Sequence, residues 1–487
     1  MNEALLNLKP KGVWEEFKAI MEVPRPSKHE EKMIAYLESW AINNGFEYKK
    51  DTCGNVMIKG EATSGYEDRQ TIVLQSHIDM VCEKNNDKVH DFMNDPIEGI
   101  IKGDWLHANG TTLGADDGIG VATALAILKD KTLQHGPLEC IFTVDEETGL
   151  TGAENLDPAL MSGRILLNLD SEDEGEIFIG CAGGKDTVVK LPYQMQDASP
   201  TALPYRIDVK GLKGGHSGDD INKNLANANK LLNRILWDAS RLFGLRLVDF
   251  QGGNLRNAIA REAYAIVYIP KTKKGAFEKF VKRMEADFKK EYQVTEPGLQ
   301  AFAAITEETS HKVFTRNSQK RLLDSIYSCP HGVIAMSQTI DNFVETSTNL
   351  ASVKRQDDYV LITTSQRSSI ESSKDDIANM VRACFESVGA HVEHGDGYPG
   401  WAPNPNSVIR KIAEECYMEL FHRAPKVKAI HAGLECGLIG DKFEGMDMIS
   451  IGPTLRGVHS PDERIEIPTV QMFWDFVAEI LKNAPRQ

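Results

Sequence analysis

His77 and Asp79 stand two residues apart where an apolar run ends, in TIVLQSHIDMV (71–81). A β-strand alternates its faces, so a strand continued to 79 projects both side chains from one side. Four further sites repeat the pattern of a polar residue at an element's edge. Asp116 and Asp117 sit in the glycine-flanked turn TTLGADDGIG (111–120). Glu146 and Glu147 follow a strand in VDEETG, Asp170 ends another in NLDSEDEGE, and His459 lies in the loop GVHSPDE. A lone acidic turn is more often just a turn. The recurrence changes the reading, because clustered carboxylates without a cation repel and raise one another's pKa. Two histidines with several carboxylates and no cysteine form an N/O ligand set suited to Zn²⁺, Mn²⁺ or Co²⁺. The ligand number suits two ions with a bridging carboxylate better than one. Asp79 then orients the His77 ring. One of the adjacent glutamates ligates while the other faces the water to be activated, as a general base. Two ions ~3.5–4 Å apart serve metal-assisted hydrolysis, and the expected target is an amide bond.

The elements that must position these residues follow from periodicity. NVMIK (55–59), 71–76, LECIFTV (138–144) and RILLNLD (164–170) read as strands. GIGVATALAILKD (118–130) reads as a buried helix, and a last helix spans about 467–483. Residues 13–44 carry helical spacing broken by PRPS (24–27), with Ser27 able to cap the second helix. Strands alternating with helices predict an α/β fold with a mixed, largely parallel sheet, whose strand exits converge on a site. After about 185 the texture changes to alternating strands with helices between them: YRIDVKG, AYAIVYI, NLASVKR and YVLITTSQR. The basic face of the helix at 275–292 reads as solvated. The expected organisation is a discontinuous catalytic domain, 1–185 and 400–487, interrupted by an inserted α+β domain at 186–399 that holds one or two α+β units.

The 487 residues predict about two or three domains. A formal net charge of −16 disfavours nucleic acid and anionic membrane surfaces as partners. No stretch approaches ~18 consecutive apolar residues, and the N-terminal sequence lacks a signal-peptide pattern. Eight cysteines without a C-x-x-C pair read as reduced, cytoplasmic and mostly core. GADDGIG is glycine-rich, but its aspartates would repel a phosphate and no lysine follows.

SHIDMV, TTLGADDGIG, DEETG, NLDSE, GCAGG, GLKGGHSG, GGNLRNAI, HAGLECG and SIGPT…HSPDE, in that order along the whole chain, together resemble the aminoacyl-histidine dipeptidases. These belong to the broad dinuclear zinc peptidase family that includes the carnosinases. The resemblance implies that His77, Asp116 and Asp170 bind one Zn²⁺, and that Asp116, Glu147 and His459 bind the other. Glu146 is then the general base and Asp79 the orienting carboxylate, and the Asp116–Asp117 peptide bond is typically cis. The inserted domain resembles the family's lid. His216 matches a lid histidine that hydrogen-bonds the developing oxyanion. Asn257 and Arg367 are further lid candidates for substrate binding, Arg367 as a bidentate clamp on a substrate carboxylate. His431 and Glu435, in HAGLE, are read as lining the pocket from the catalytic half, with Glu435 meeting the substrate's amino group. The implied activity is hydrolysis of unblocked dipeptides, including Xaa-His, with β-Ala-His as a further candidate. Deacylation of N-acyl amino acids and trimming of short peptides are the alternatives on the same site. A non-catalytic metal- or peptide-binding protein would lack the base or a ligand, and the sequence keeps both. A homodimer held by the lid is the expected assembly.

Overall fold

The computed structural model describes residues 2–307 and 310–487. They divide into two compact units. The first comprises the chain up to Cys181, with Trp401–Ala429 and Leu434–Gln487; the second comprises Ala182–Gly400 and Ile430–Gly433. The sequence reading draws its boundaries at 185/186 and 399/400. It also leaves residues 430–433 in the catalytic half, whereas these four group with the second unit. The reason is local: Ala182 N–H donates to the carbonyls of Ile430 and Ala432, both at 3.1 Å.

The first unit is built on an eight-stranded mixed sheet. Its order is Glu47–Lys50, Val56–Gly60, Leu138–Thr143, Ile72–His77, Ile165–Asn168, Asp447–Ser450, Glu176–Cys181 and Lys426–Ile430. The four strands from Leu138–Thr143 to Asp447–Ser450 run parallel. The first three of these are buried along their whole length, which is why they read as apolar runs rather than as alternation. The helix Ala115–Lys129 packs on Ile72–His77 and against the helix Lys11–Met21. It is buried on nearly every side, and its alanines and glycines permit that close approach. Lys11–Met21 contributes Trp14, Phe17 and Ile20, all fully buried. Ser27 does not cap the following helix. That helix, Glu31–Asn44, starts four residues further on without a side-chain cap, and the Ser27 hydroxyl donates to the Met80 carbonyl at 3.4 Å instead. A small sheet joins Leu455–Arg456, Arg464–Glu466, Trp105–Ala108 and Gly99–Lys102. The Asp116–Asp117 peptide bond is cis.

The second unit is a nine-stranded sheet with helices. Eight strands follow the order Gln300–Ile305, Ala202–Lys210, Ala263–Pro270, Arg246–Gly252, Val344–Arg355, Tyr359–Ser368, Gly183–Pro192 and His391–His394; Gly332–Met336 also pairs with Val344–Arg355. One continuous sheet thus runs through the region where the sequence left room for two α+β units. Its core is closed by helices that include Ala228–Leu242, Lys274–Glu291 and Arg316–Ser328. Lys274–Glu291 buries Phe277, Phe280, Val281, Met284 and Phe288 on one face, leaving its lysines on the other. Among the described residues, no helix is long and apolar enough to cross a membrane.

Candidate metal centre

Parallel strands bring their carboxyl ends to one edge, and in the first unit that edge carries the polar residues. His77 ends the strand Ile72–His77, and its ring is buried. Its Nε2 lies 3.1 Å from Asp116 Oδ1 and 3.5 Å from Asp170 Oδ1. On the far side of Asp116, His459 Nε2 lies 3.3 Å from Oδ2 and 2.9 Å from Glu147 Oε2. The ligand atoms of His77, Asp116 and Asp170 fall within 4.8 Å of one another, as do those of Asp116, Glu147 and His459. Asp116 is therefore common to two triads, with one oxygen turned to each imidazole.

Asp79 sits just past the end of the strand, fully buried, its Oδ1 3.3 Å from His77 Nδ1. The same carboxylate accepts the backbone N–H of Glu146 at 3.0 Å and of Glu147 at 3.2 Å. It thus ties the histidine loop to the glutamate loop. Glu146 also groups with His77 and Glu147 within the same 4.8 Å.

The electrostatics show what this arrangement costs without a cation. Burial, opposed by His77 and reinforced by Asp170 and Glu435, raises the Glu146 carboxyl well above its ordinary value. Burial and Asp117 do the same to Asp170 against the pull of His77. Burial by itself would push the His77 imidazole down, but Asp170 and hydrogen bonds to Asp116, Asp170 and Asp79 raise it. Hydrogen bonds to Asp116 and Glu147 push His459 up to about 11. Glu147 Oε1 is buried without a hydrogen-bond partner. An imidazole and carboxylate set with a partnerless buried oxygen and mutually opposed charges fits divalent cations.

Two residues outside the sequence prediction hold this edge in place. Glu463, buried in the loop after His459, accepts from four successive backbone N–H groups: Leu113 at 2.7 Å, Gly114 at 3.0 Å, Ala115 at 2.8 Å and Asp116 at 3.3 Å. Arg25, also buried, donates to the carbonyls of Ile78 at 3.0 Å and Asp79 at 2.8 Å, and to that of Gly114. Glu463 belongs to the HSPDE motif and Arg25 to PRPS, so both lay in view as turn charges. Glu463→Gln keeps the shape but turns an NH2 towards two buried donors. It is expected to cost ~3 kcal/mol of unfolding free energy, read from urea denaturation. A loss under ~0.5 kcal/mol, the size of an ordinary surface change, would show that the four-donor cradle is unimportant.

Glu435 lies in the first unit, fully buried. Its Oε2 accepts from Gln75 Nε2 at 2.6 Å and Thr143 Oγ1 at 2.8 Å, while Oε1 has no hydrogen-bond partner. Burial pushes its carboxyl up to about 7. The remaining predicted residues belong to the second unit, His431 included, which corrects its placement in the catalytic half. His431 Nε2 lies 2.7 Å from Ser347 Oγ, and burial together with Arg367 lowers its imidazole to about 3. Arg367 donates from Nη1 to Tyr398 Oη at 2.9 Å, and its Nε is buried without a partner. His216 accepts at Nδ1 from the Asp219 N–H at 3.3 Å; burial and Arg367 lower its pKa. Asn257 is exposed and contributes its backbone carbonyl to Ser217 N–H at 2.8 Å.

A family model described as peptidase family M20/M25/M40 matches residues 73–483. The cytosol non-specific dipeptidase of Escherichia coli (strain K12) is 42% identical over 481 residues, 99% of each chain. The crystal structure of an aminoacylhistidine dipeptidase from Vibrio alginolyticus superposes with a TM-score of 0.93 at 41% identity, covering 99% of this chain and 98% of that one. An aminopeptidase PepT from Bacillus cereus shares the fold at a TM-score of 0.58 and 18% identity, covering 98% of this chain and 99% of that one.

Proposed function

This chain belongs to peptidase family M20/M25/M40, and from that premise we propose how it works as a metal-dependent dipeptidase. Its relatives at 41–42% identity over nearly the whole chain are dipeptidases. The observation that carries the mechanism is the pair of triads sharing Asp116. His77, Asp116 and Asp170 would hold one ion and Asp116, Glu147 and His459 the other. Zn²⁺ suits the donor set, with Mn²⁺ or Co²⁺ as substitutes. When bound, such ions polarise the scissile carbonyl and bring the pKa of a water towards neutrality.

The residues of the chain do the rest. Glu146 takes the proton of the attacking water on its carboxylate and passes it to the leaving amine nitrogen. Asp79 keeps His77 in one tautomer and fixes the backbone of both glutamates. Glu435, with a partnerless buried oxygen, is the candidate for the substrate's ammonium group. In the second unit, the lid of this reading, His216 is the candidate donor to the oxyanion. Arg367 would clamp the free carboxylate of a dipeptide, which its partnerless Nε supports. Asn257 and His431 complete the proposed substrate contacts. A cytoplasmic location forms part of this reading, on the name of the relative at 42% identity. So does a homodimer held by the second unit. The strand Gly332–Met336 pairs with one neighbour and exposes Val333, Ile334 and Met336; sedimentation at the mass of one chain would remove the dimer from the account.

The test is turnover of Ala-His, β-Ala-His, C-amidated Ala-His, a tripeptide and an N-acetylated amino acid. Unblocked dipeptides are expected to be cleaved, with amidation raising KM by ~10-fold or more through loss of the carboxylate clamp. Turnover of the acetylated substrate alone would make the protein a deacylase. Turnover of the tripeptide alone would make it a short-peptide aminopeptidase.

A further inference from the structure

The second unit contains a cavity of 310 Å³ between the helices Ala228–Leu242 and Arg316–Ser328 and the start of the strand Arg246–Gly252. Its lining is unusual for a chain of net charge −16. Arg241, Arg246, Arg316 and Lys320 face it with a single carboxylate, Asp324. That carboxylate is already taken: its Oδ1 accepts from Trp237 Nε1 at 2.8 Å, and its Oδ2 from Lys320 Nζ at 2.5 Å. Arg241 Cζ sits over the Trp237 ring, 3.2 Å from its centroid, with Nη2 3.8 Å from Asp324. Arg246 and Arg316 are left without a carboxylate among the described residues. Arg246 donates from Nη2 to the Phe314 carbonyl at 2.5 Å, but its Nε is buried with no hydrogen-bond partner. Burial, and Arg316 beside it, lower the Arg246 pKa. The half-buried Arg246 guanidinium thus lacks a counter-charge, and an anion joining it to the exposed Arg316 beside it would be attracted by both.

We propose that this cavity is a binding site for a small organic phosphate, held by Arg246 and Arg316 and separate from the metal centre. Guanidinium forks match phosphate oxygens two at a time, and Arg is the residue that such recognition favours. Trp237, Leu245 and Leu323 supply an apolar wall for the carbon skeleton. The volume stands at the lower end of the ~300–1,000 Å³ typical of small-molecule sites, which selects a compact ligand such as a nucleoside monophosphate or sugar phosphate. The wall is rigid. Gln319 donates to Ser240 Oγ at 2.8 Å and to the Leu245 carbonyl at 2.9 Å, and accepts the Leu247 N–H at 2.9 Å.

The experiment is calorimetric titration of the metal-loaded full chain with adenosine 5′-monophosphate, glucose 6-phosphate and, as a carboxylate control, glutarate. Arg316 is exposed and its side chain has no hydrogen-bond or ion-pair partner among the described residues, so Arg316→Gln leaves the fold intact. Arg246→Lys keeps the charge and removes the fork, and Lys282→Gln, on the outer face of another helix, serves as the control. Saturable binding of a phosphate ester, one per chain, is expected. Arg316→Gln and Arg246→Lys should each weaken it by ~10-fold or more, with the control unchanged. A phosphate can also meet the metal centre, so binding that is equal in all four proteins would overturn the proposal. So would the absence of saturation at millimolar phosphate ester, or glutarate binding more tightly than either ester.

Discussion

Replacing Glu146 by glutamine is expected to lower kcat on Ala-His by ~10³-fold, within the 10²–10⁴ range of general acid–base catalysis, while leaving metal content unchanged. The substitution is nearly isosteric and spares the backbone N–H that Asp79 anchors at 3.0 Å. What it removes is a carboxylate able to take up and release a proton. In this site the carboxyl has a high proton affinity, because it is buried and faces Asp170, Glu435 and Glu147. Cations in the triads would draw that affinity down, so that Glu146 is ionised when water arrives and protonated when the amine leaves. KM should move by only a few-fold, since an interaction made only in the transition state leaves substrate binding in place. Steady-state kinetics with metal analysis on the same preparation read both quantities. A glutamine variant with wild-type kcat would take the proton transfer away from Glu146.

The second large effect is expected at Asp116. Its two oxygens face different histidines, Oδ1 to His77 and Oδ2 to His459. An asparagine keeps one acceptor and turns an NH2 group towards the other side, so one triad loses a ligand and gains a donor pointing at the cation. Positioning groups alone are worth ~10–100-fold in metal affinity. Asp116→Asn should therefore exceed ~100-fold for the affected ion, with activity falling alongside it. The N–H of Asp116 is held by Glu463 whatever its side chain, so the variant is expected to fold. Circular dichroism melting of the metal-free proteins separates the two effects: equal melting with lost metal supports the bridging role. Unchanged metal affinity would remove it.

The sheet and the first ring of site residues are legible in the sequence because both are written in local order. Ile72–His77 and Leu138–Thr143 are apolar runs of strand length. His77 is the last residue of its strand, and Asp170, Glu146 and Glu147 stand two, three and four residues past the ends of theirs, where an α/β sheet builds its sites. What holds those residues is not local. Glu463 reaches the N–H groups of residues 113–116 from about 350 positions away, and an acidic residue in a Ser-Pro-Asp turn looks like any solvated turn. Arg25 carries the same ambiguity between two prolines. Ser27 has the right type for a cap but the wrong distance, since helix Glu31–Asn44 begins after it. Residues 430–433 begin at the last residue of the strand Lys426–Ile430, whose first four residues belong to the first unit, yet Ala182 claims the carbonyls of Ile430 and Ala432, a pairing that no periodicity announces. Asn257, Arg367 and His431 entered the reading through resemblance alone, although His431 stands one residue past the strand Lys426–Ile430 and Arg367 lies next to the end of Tyr359–Ser368.

The central claim is that dipeptide hydrolysis depends on two cations held by the triads that share Asp116. Its most direct test strips the full-length protein with a chelator and titrates Zn²⁺ back, following bound metal per chain and Ala-His turnover together. The account predicts negligible turnover in the stripped protein and a return of activity that is complete at two ions per chain. Full turnover in the stripped protein, or a single ion sufficing for all of it, would contradict the shared-carboxylate centre.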